Sequence, residues 1–177
     1  MTLRSYVGGA AMVAFRKPGD NEPYEVMASN AVKAALADAG ISLDKVQQAY
    51  ASYIYGDSAC GQRALYEVGF PGVPIFNVNN NCSTGSTTLM LARQAVEGGL
   101  AECVLAVGFE QMEKGALASK YTDRTNPLDQ HVDVMNRAQG FNAAPPAAQM
   151  FGGAGREYRW RYGTKRETFA KIGRAHV

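Results

Sequence analysis

A chain of 177 residues with 46% apolar content can bury a core, which excludes a disordered or fibrous class, and one domain is the default expectation. Its 18 basic and 16 acidic residues leave a net charge of +2, too even to point to nucleic acid, and no apolar run approaches the roughly 18 residues needed to span a bilayer. Cys60, Cys82 and Cys103 lie far apart with no histidine cluster beside them, which excludes a structural zinc site and leaves free thiols as the expectation.

In chain order, Ser5 to Phe15 reads as a strand or hairpin edge loosened by Gly8 and Gly9, and Lys17 to Glu22 as a loop. Pro23 suits the first turn of a helix, and Ala28, Ala31, Val32, Ala35, Leu36 and Ala39 recur at the spacing of one apolar face before Gly40 caps the end. Ala49 to Tyr55 predicts a strand, Gln62 to Val68 a short helix, Ile75 to Val78 a second short strand and Glu102 to Phe109 a buried one. Ser83 to Glu97 has few charges and many small residues, so as a helix it must pack on several sides. Residues 111 to about 146 read as loop-rich, broken by Asn126-Pro127 and Pro145-Pro146, and a helix is predicted from Ala147 to about Tyr162. Strands alternating with helices indicate an α/β fold with a largely parallel sheet, and the long excursion after residue 110 suits a binding loop or lid.

The most informative stretch is Asn77-Val78-Asn79-Asn80-Asn81-Cys82-Ser83-Thr84-Gly85-Ser86, where a short strand ends and a small-residue helix begins. Unpaired N–H groups and the positive dipole end at such a helix start stabilise a thiolate and can also hold an oxyanion. Pattern alone leaves two readings of Cys82 open, a small packed thiol or a nucleophile exposed at a polar turn, and it names no reaction.

The run NVNNNCSTGSTTL, followed by ARQAVEGGLAECVLAVGFEQMEKG, resembles the nucleophile helix and next strand of thiolases, nearest to the sterol carrier protein X type. Matching features begin near Tyr6, include Gly56-Asp57-Ser58-Ala59-Cys60-Gly61-Gln62-Arg63, and continue to about Ile172. The resemblance implies a thiolase-like fold whose βαβαβαβ sheet layer fills residues 1–110, a loop domain over 111–171, and a carboxy-terminal half missing from this chain. It implies that Cys82 takes an acyl group from a 3-oxoacyl-CoA, with its own backbone N–H in an oxyanion hole. Acetyl-CoA or propanoyl-CoA departs, and coenzyme A, a co-substrate rather than a bound cofactor, collects the acyl chain. It also implies a homo-oligomer, dimer or tetramer, in a bacterial cytoplasm or a peroxisome. Two rivals stay open: a thiolase-like sterol side-chain aldolase that does not need this cysteine, and a non-catalytic partner or lipid-transfer accessory.

Thiolases also use a histidine in a Gly-His-Pro context and a second cysteine beside glycines, and neither motif occurs in this sequence. His131 is expected to be a structural or solvated loop residue, and Cys60 and Cys103 to be packed thiols. The residues Ile172 to Val177, which include His176, can be encoded by a common sequencing-adapter sequence, so 172–177 is expected to be a non-native tail. Arg156, Arg159, Arg161, Lys165 and Arg166, interleaved with Tyr158, Trp160 and Tyr162, read as a solvated helix face or a grip on a CoA phosphate, with no single arginine selected. Gly152-Gly153-Ala154-Gly155 lacks a phosphate-loop pattern, and Met112, Met135 and Met150 read as core filling.

Overall fold

Residues 4–69, 72–116 and 118–174 are described by a computed structural model, in which the chain forms two compact units, residues 1–116 and 117–177. The first is built on three parallel strands, β1 (Gln48–Ser52), β2 (Ile75–Val78) and β3 (Val104–Gly108), in the order β2-β1-β3. Ala49 lies opposite Ile75 and Leu105, and Ala51 opposite Asn77 and Val107. Helix α1 (Tyr24–Ala39) precedes the sheet, α2 (Cys60–Tyr66) links β1 to β2, and α3 (Thr84–Glu97) links β2 to β3. The chain steps one way from β1 to β2 and the other way from β2 to β3, so right-handed crossovers put α2 and α3 on opposite faces.

The core forms where α1 and α2 meet the sheet: Ala28 and Val32, Ala64 and Leu65, Ala49 and Ala51, and Leu105 and Val107 bury together. Alanines on the central strand let the helices approach closely. The tightest point is Gly61, where an added Cβ would lie 2.5 Å from the Cβ of Ala51 and 2.5 Å from Oδ1 of Asn77. Helix α3 faces the sheet through Thr84, Thr88, Ala92 and Ala95, while Leu89 stays 58% exposed and Met90 50%. Among the described residues this helix therefore packs by one face, where its sequence predicts several.

Helix α1 follows the expected pattern, with Gly40 in the left-handed region at φ 67° to close it. The opening segment does not: Ser5 to Phe15 forms no strand, and among the described residues the sheet has three strands rather than the four of a βαβαβαβ layer. Gly8 and Gly9 bring no side chains to pack, and the backbone lies along α1 instead. A Cβ at Gly9 would sit 2.6 Å from the carbonyl oxygen of Ala35, and the N–H of Ala10 donates to Oδ2 of Asp38 at 2.9 Å. Phe15 is left 94% exposed.

The second unit holds α4 (Asp129–Gln139), α5 (Pro146–Tyr162) and α6 (Arg166–Arg174). Helix α4 fills part of the stretch read as loop-rich, where no helix is expected. The helix is mostly polar, with only Met135 buried, and the breakers Asn126-Pro127 and Pro145-Pro146 on either side draw the reading toward loop. Asn126 starts it by accepting the N–H of Leu128 on its side chain at 2.9 Å, and Asp133 pairs with Arg137 one turn on. His131 lies on this helix, exposed, rather than in a loop. His176 falls outside the described residues. No helix among the described residues is long and apolar enough to cross a membrane.

Gln149, only 5% exposed, ties α4 to α5. Its amide donates to the carbonyl oxygens of Asn142, at 3.0 Å, and Ala144, and accepts the N–H of Asn142 at 3.2 Å. Its own carbonyl oxygen takes the Gln139 amide at 2.9 Å.

Two outcomes follow for urea unfolding. Gly61→Ala must displace α2 from β1 and should cost about 1–3 kcal/mol, whereas an unchanged midpoint would show that α2 does not sit as closely as described. Gln149→Leu leaves three backbone groups without partners and should cost the second unit about 1–3 kcal/mol, read as loss of helical circular dichroism at lower denaturant.

Candidate active site

In a parallel sheet every strand ends at the same edge, and ligand sites of open α/β folds gather outside it. Two turns leave that edge here, Tyr53 to Ala59 after β1 and Asn79 to Ser83 after β2. Cys82 lies in the second, exposed and two residues before the start of α3.

The asparagine run builds that turn. Asn81 takes the left-handed backbone region at φ 49°, which asparagine tolerates better than most residues, and its N–H donates to Oδ1 of Asn79 at 3.1 Å. The N–H groups of Ser83 and Thr84 reach back to the carbonyl oxygens of Asn80 and Asn81 at 3.2 and 2.9 Å. Thr84, buried, receives the N–H of Asn80 on its hydroxyl at 2.8 Å, and the Asn80 amide donates to the hydroxyl of Thr87 at 2.9 Å. Cys82 is thus held in a turn pinned on both sides, with Oδ1 of Asn81 3.7 Å from its sulfur.

Ser83, the residue preceding α3, does not cap it: its hydroxyl donates to the Asn80 carbonyl oxygen at 2.8 Å. The N–H groups of Gly85 and Ser86 consequently find no acceptor among the described residues. An open helix start beside an exposed thiol offers positive potential to a thiolate or an oxyanion. Chemically, the turn offers a nucleophile and hydrogen-bond donors. No histidine partner to Cys82 is found among the described residues.

The other thiols differ. Cys60 is buried at the start of α2, after Ala59 in the left-handed region at φ 68°. Its N–H donates to the Tyr53 hydroxyl at 3.3 Å, which itself donates to the Asp57 carbonyl oxygen at 2.9 Å. Tyr24 and Tyr53 stack on Phe109 with ring centroids 5.4 and 5.1 Å away. Cys103 is half-buried just before β3, and burial pushes its thiol up, away from nucleophilic use.

Sequence reasoning missed Glu110, whose two carboxylate oxygens accept the N–H groups of Ile54 and Tyr55 at 2.9 and 3.0 Å and so fix the turn after β1. Only its place two residues beyond β3 marks it. No group of three metal-ligating side chains occurs among the described residues.

Burial first, and then the hydrogen bond with Cys60, pushes the Tyr24 hydroxyl up to about 12, and burial raises Tyr53 as well. An exposed phenol in the unfolded chain titrates near pH ~10, so between that value and about 12 the unfolded state loses protons that the folded state keeps. The stabilisation is complete below pH ~10 and disappears as pH rises through the folded value. Unfolding free energy should therefore fall over this range, with a shallower fall in Tyr24→Phe; identical slopes in both proteins would contradict the assignment.

Compared with known proteins, the chain matches the family model for the thiolase amino-terminal domain over residues 6–173. Sterol carrier protein 2 of Oryctolagus cuniculus is 56% identical over 173 residues, covering 96% of this chain and 32% of that protein. Its Homo sapiens counterpart is 54% identical over the same shares. Non-specific lipid-transfer protein-like 2 of Caenorhabditis elegans is 45% identical, covering 94% of this chain and 42% of its own. The chain thus spans about a third of the length of the sterol carrier proteins it matches. Among solved structures, the priming β-ketosynthase of the R1128 polyketide biosynthetic pathway aligns at a TM-score of 0.47 with 26% identity, over 51% of this chain and 28% of that one.

Proposed function

From the premise that this chain belongs to the thiolase family, as its amino-terminal domain, we propose that the longer protein it represents is a CoA-dependent acyltransferase acting on 3-oxoacyl-CoA, with Cys82 as nucleophile. The observation that carries this reading is an exposed cysteine in a turn pinned by asparagines, at the uncapped start of a helix that follows a parallel strand.

The Cys82 thiolate attacks the C3 carbonyl carbon, and the N–H groups at the start of α3 steady the negative oxygen. The bond between C2 and C3 breaks, its electron pair stays on C2, and that carbon takes a proton as acetyl-CoA, or propanoyl-CoA, departs. The acyl group remains as a thioester on Cys82. Coenzyme A then attacks this thioester, gives up its thiol proton and releases the cysteine as thiolate with the shortened acyl-CoA. Dividing one carbon–carbon cleavage into two thioester steps is the contribution of the nucleophile. We assign this protein to the bacterial cytoplasm or the peroxisome, as a homodimer or tetramer.

A second reading is favoured by the names of two relatives, which describe a sterol carrier and a lipid-transfer protein: here the domain would serve lipid transfer without catalysis. One experiment separates the two. The full-length protein is mixed with a 3-oxoacyl-CoA and its peptides are weighed by mass spectrometry. An acyl adduct on the Cys82 peptide is expected, with turnover reduced roughly 10³-fold or more in Cys82→Ser. Unimpaired turnover in that variant would sink the proposed nucleophile, and absence of any adduct alongside lipid transfer would establish the second reading.

A further inference from the structure

The two turns that leave the shared edge of the sheet are joined to each other. Ser52, at the end of β1, lies opposite Val78, at the end of β2, and the N–H of Tyr53 donates to the Val78 carbonyl oxygen at 3.4 Å. Val78 leads directly into Asn79, whose side chain holds the N–H of Asn81 beside Cys82. A shift of the backbone at Tyr53 is therefore passed through one hydrogen bond to the base of the cysteine turn.

Both turns also keep backbone in a costly conformation. Among the described residues the non-glycine positions at positive φ are Ala59, at 68°, and Asn81, at 49°, one in each turn. Alanine has no polar side chain to favour the left-handed region, so it stays there only where its surroundings impose it, and such residues gather at functional sites.

The surroundings that impose it are visible. A Cβ at Gly56 would lie 3.0 Å from the Cys60 sulfur and 3.0 Å from the Tyr53 ring, so the turn after β1 is folded closely on itself. From the end of β3, Phe109 stacks on Tyr53 and donates its N–H to the Ser52 carbonyl oxygen at 3.0 Å. Glu110, half-buried, completes the frame by taking the N–H of Ile54 on Oε2 and that of Tyr55 on Oε1. Three consecutive N–H groups, those of Tyr53, Ile54 and Tyr55, thus end on Val78 and Glu110. An ionised acceptor makes such bonds shorter and stronger than a neutral one does.

We propose that Glu110 is a positioning residue for Cys82: by fixing the turn after β1 against the end of β2, it sets where the cysteine stands relative to the open start of α3. Its bonds run to backbone groups, so it acts through them and not on the reacting atoms. The inference rests on the acyl-transfer reading for the reaction it serves, while the placement of the thiol can be read without that reaction.

Glu110→Gln keeps the size of the side chain but turns an amide NH2 toward one of the two backbone N–H groups. In the full-length variant, hydrogen exchange at Ile54 and Tyr55 should quicken about tenfold or more. Turnover of 3-oxoacyl-CoA should fall about tenfold in kcat with KM held within about twofold, since the thiol is displaced rather than the grip on substrate. Alkylation of Cys82 by iodoacetamide, which needs no substrate, should slow about threefold or more as the sulfur leaves the positive end of α3. Alkylation of Cys103 should keep its original rate, and Glu113→Gln, at an exposed carboxylate of the same segment, should leave all four measurements unchanged. Faster exchange with kcat and Cys82 alkylation unaltered would make Glu110 a brace of the fold alone and overturn the proposal. Unchanged exchange at both positions, a rise in KM without loss of kcat, or faster alkylation of Cys82 and Cys103 together would overturn it as well. Full turnover in Cys82→Ser, alongside slowed alkylation of Cys82 in Glu110→Gln, would remove the acyl-transfer reading and leave the placement of the thiol by Glu110 standing.

Discussion

Parallel pairing of β1 with both its neighbours is the constraint on which the first unit depends. Parallel strands cannot be joined by a tight turn, so each connection must climb back along a face of the sheet. Helices α2 and α3 make those returns, and the loops that lead into them leave from one edge. The turn bearing Cys82 and the turn braced by Glu110 share that edge for this reason. The small residues of β1 matter as much, because Ala49 and Ala51 lie beneath the helices where larger side chains would hold them off.

Much of this arrangement is legible in the sequence, for identifiable reasons. Helix α1 shows itself by alanine and valine at helical spacing and by Gly40 at its end. Strand β2 and the start of α3 are marked by a change from apolar to small polar residues across the asparagines. The opening segment misleads because its apolar clusters, Tyr6-Val7 and Met12 to Phe15, suit a strand while pairing requires a second strand to receive it, something no local pattern encodes. Helix α4 is hidden for another reason: it is mostly polar and lies between proline breakers, which mark the stretch as loop although side-chain turns and an i,i+4 ion pair hold it helical.

The candidate site divides in the same way. The position of Cys82 at a strand-to-helix junction can be read from residue order, and its exposure agrees with that order. The left-handed backbone of Asn81, the diversion of the Ser83 hydroxyl away from the helix, and the grip of Glu110 on a turn more than fifty residues earlier cannot. These depend on three-dimensional closure, and a linear pattern carries no record of it.

The bonds of Gln149 bear on how the chain acquires its form. They join groups only five to ten residues apart, whereas the hydrogen bond that brings Gln47 to Cys103 beside β1 and β3 closes a separation of 56 residues. Loop closure of that length is slow compared with contacts between neighbours along the chain. The helical unit can therefore gather soon after its residues are made, while the sheet must wait for its last strand. Until β3 docks, β1 presents an unpaired edge to its surroundings, and the interval before that docking is when the young chain is most open to wrong partners.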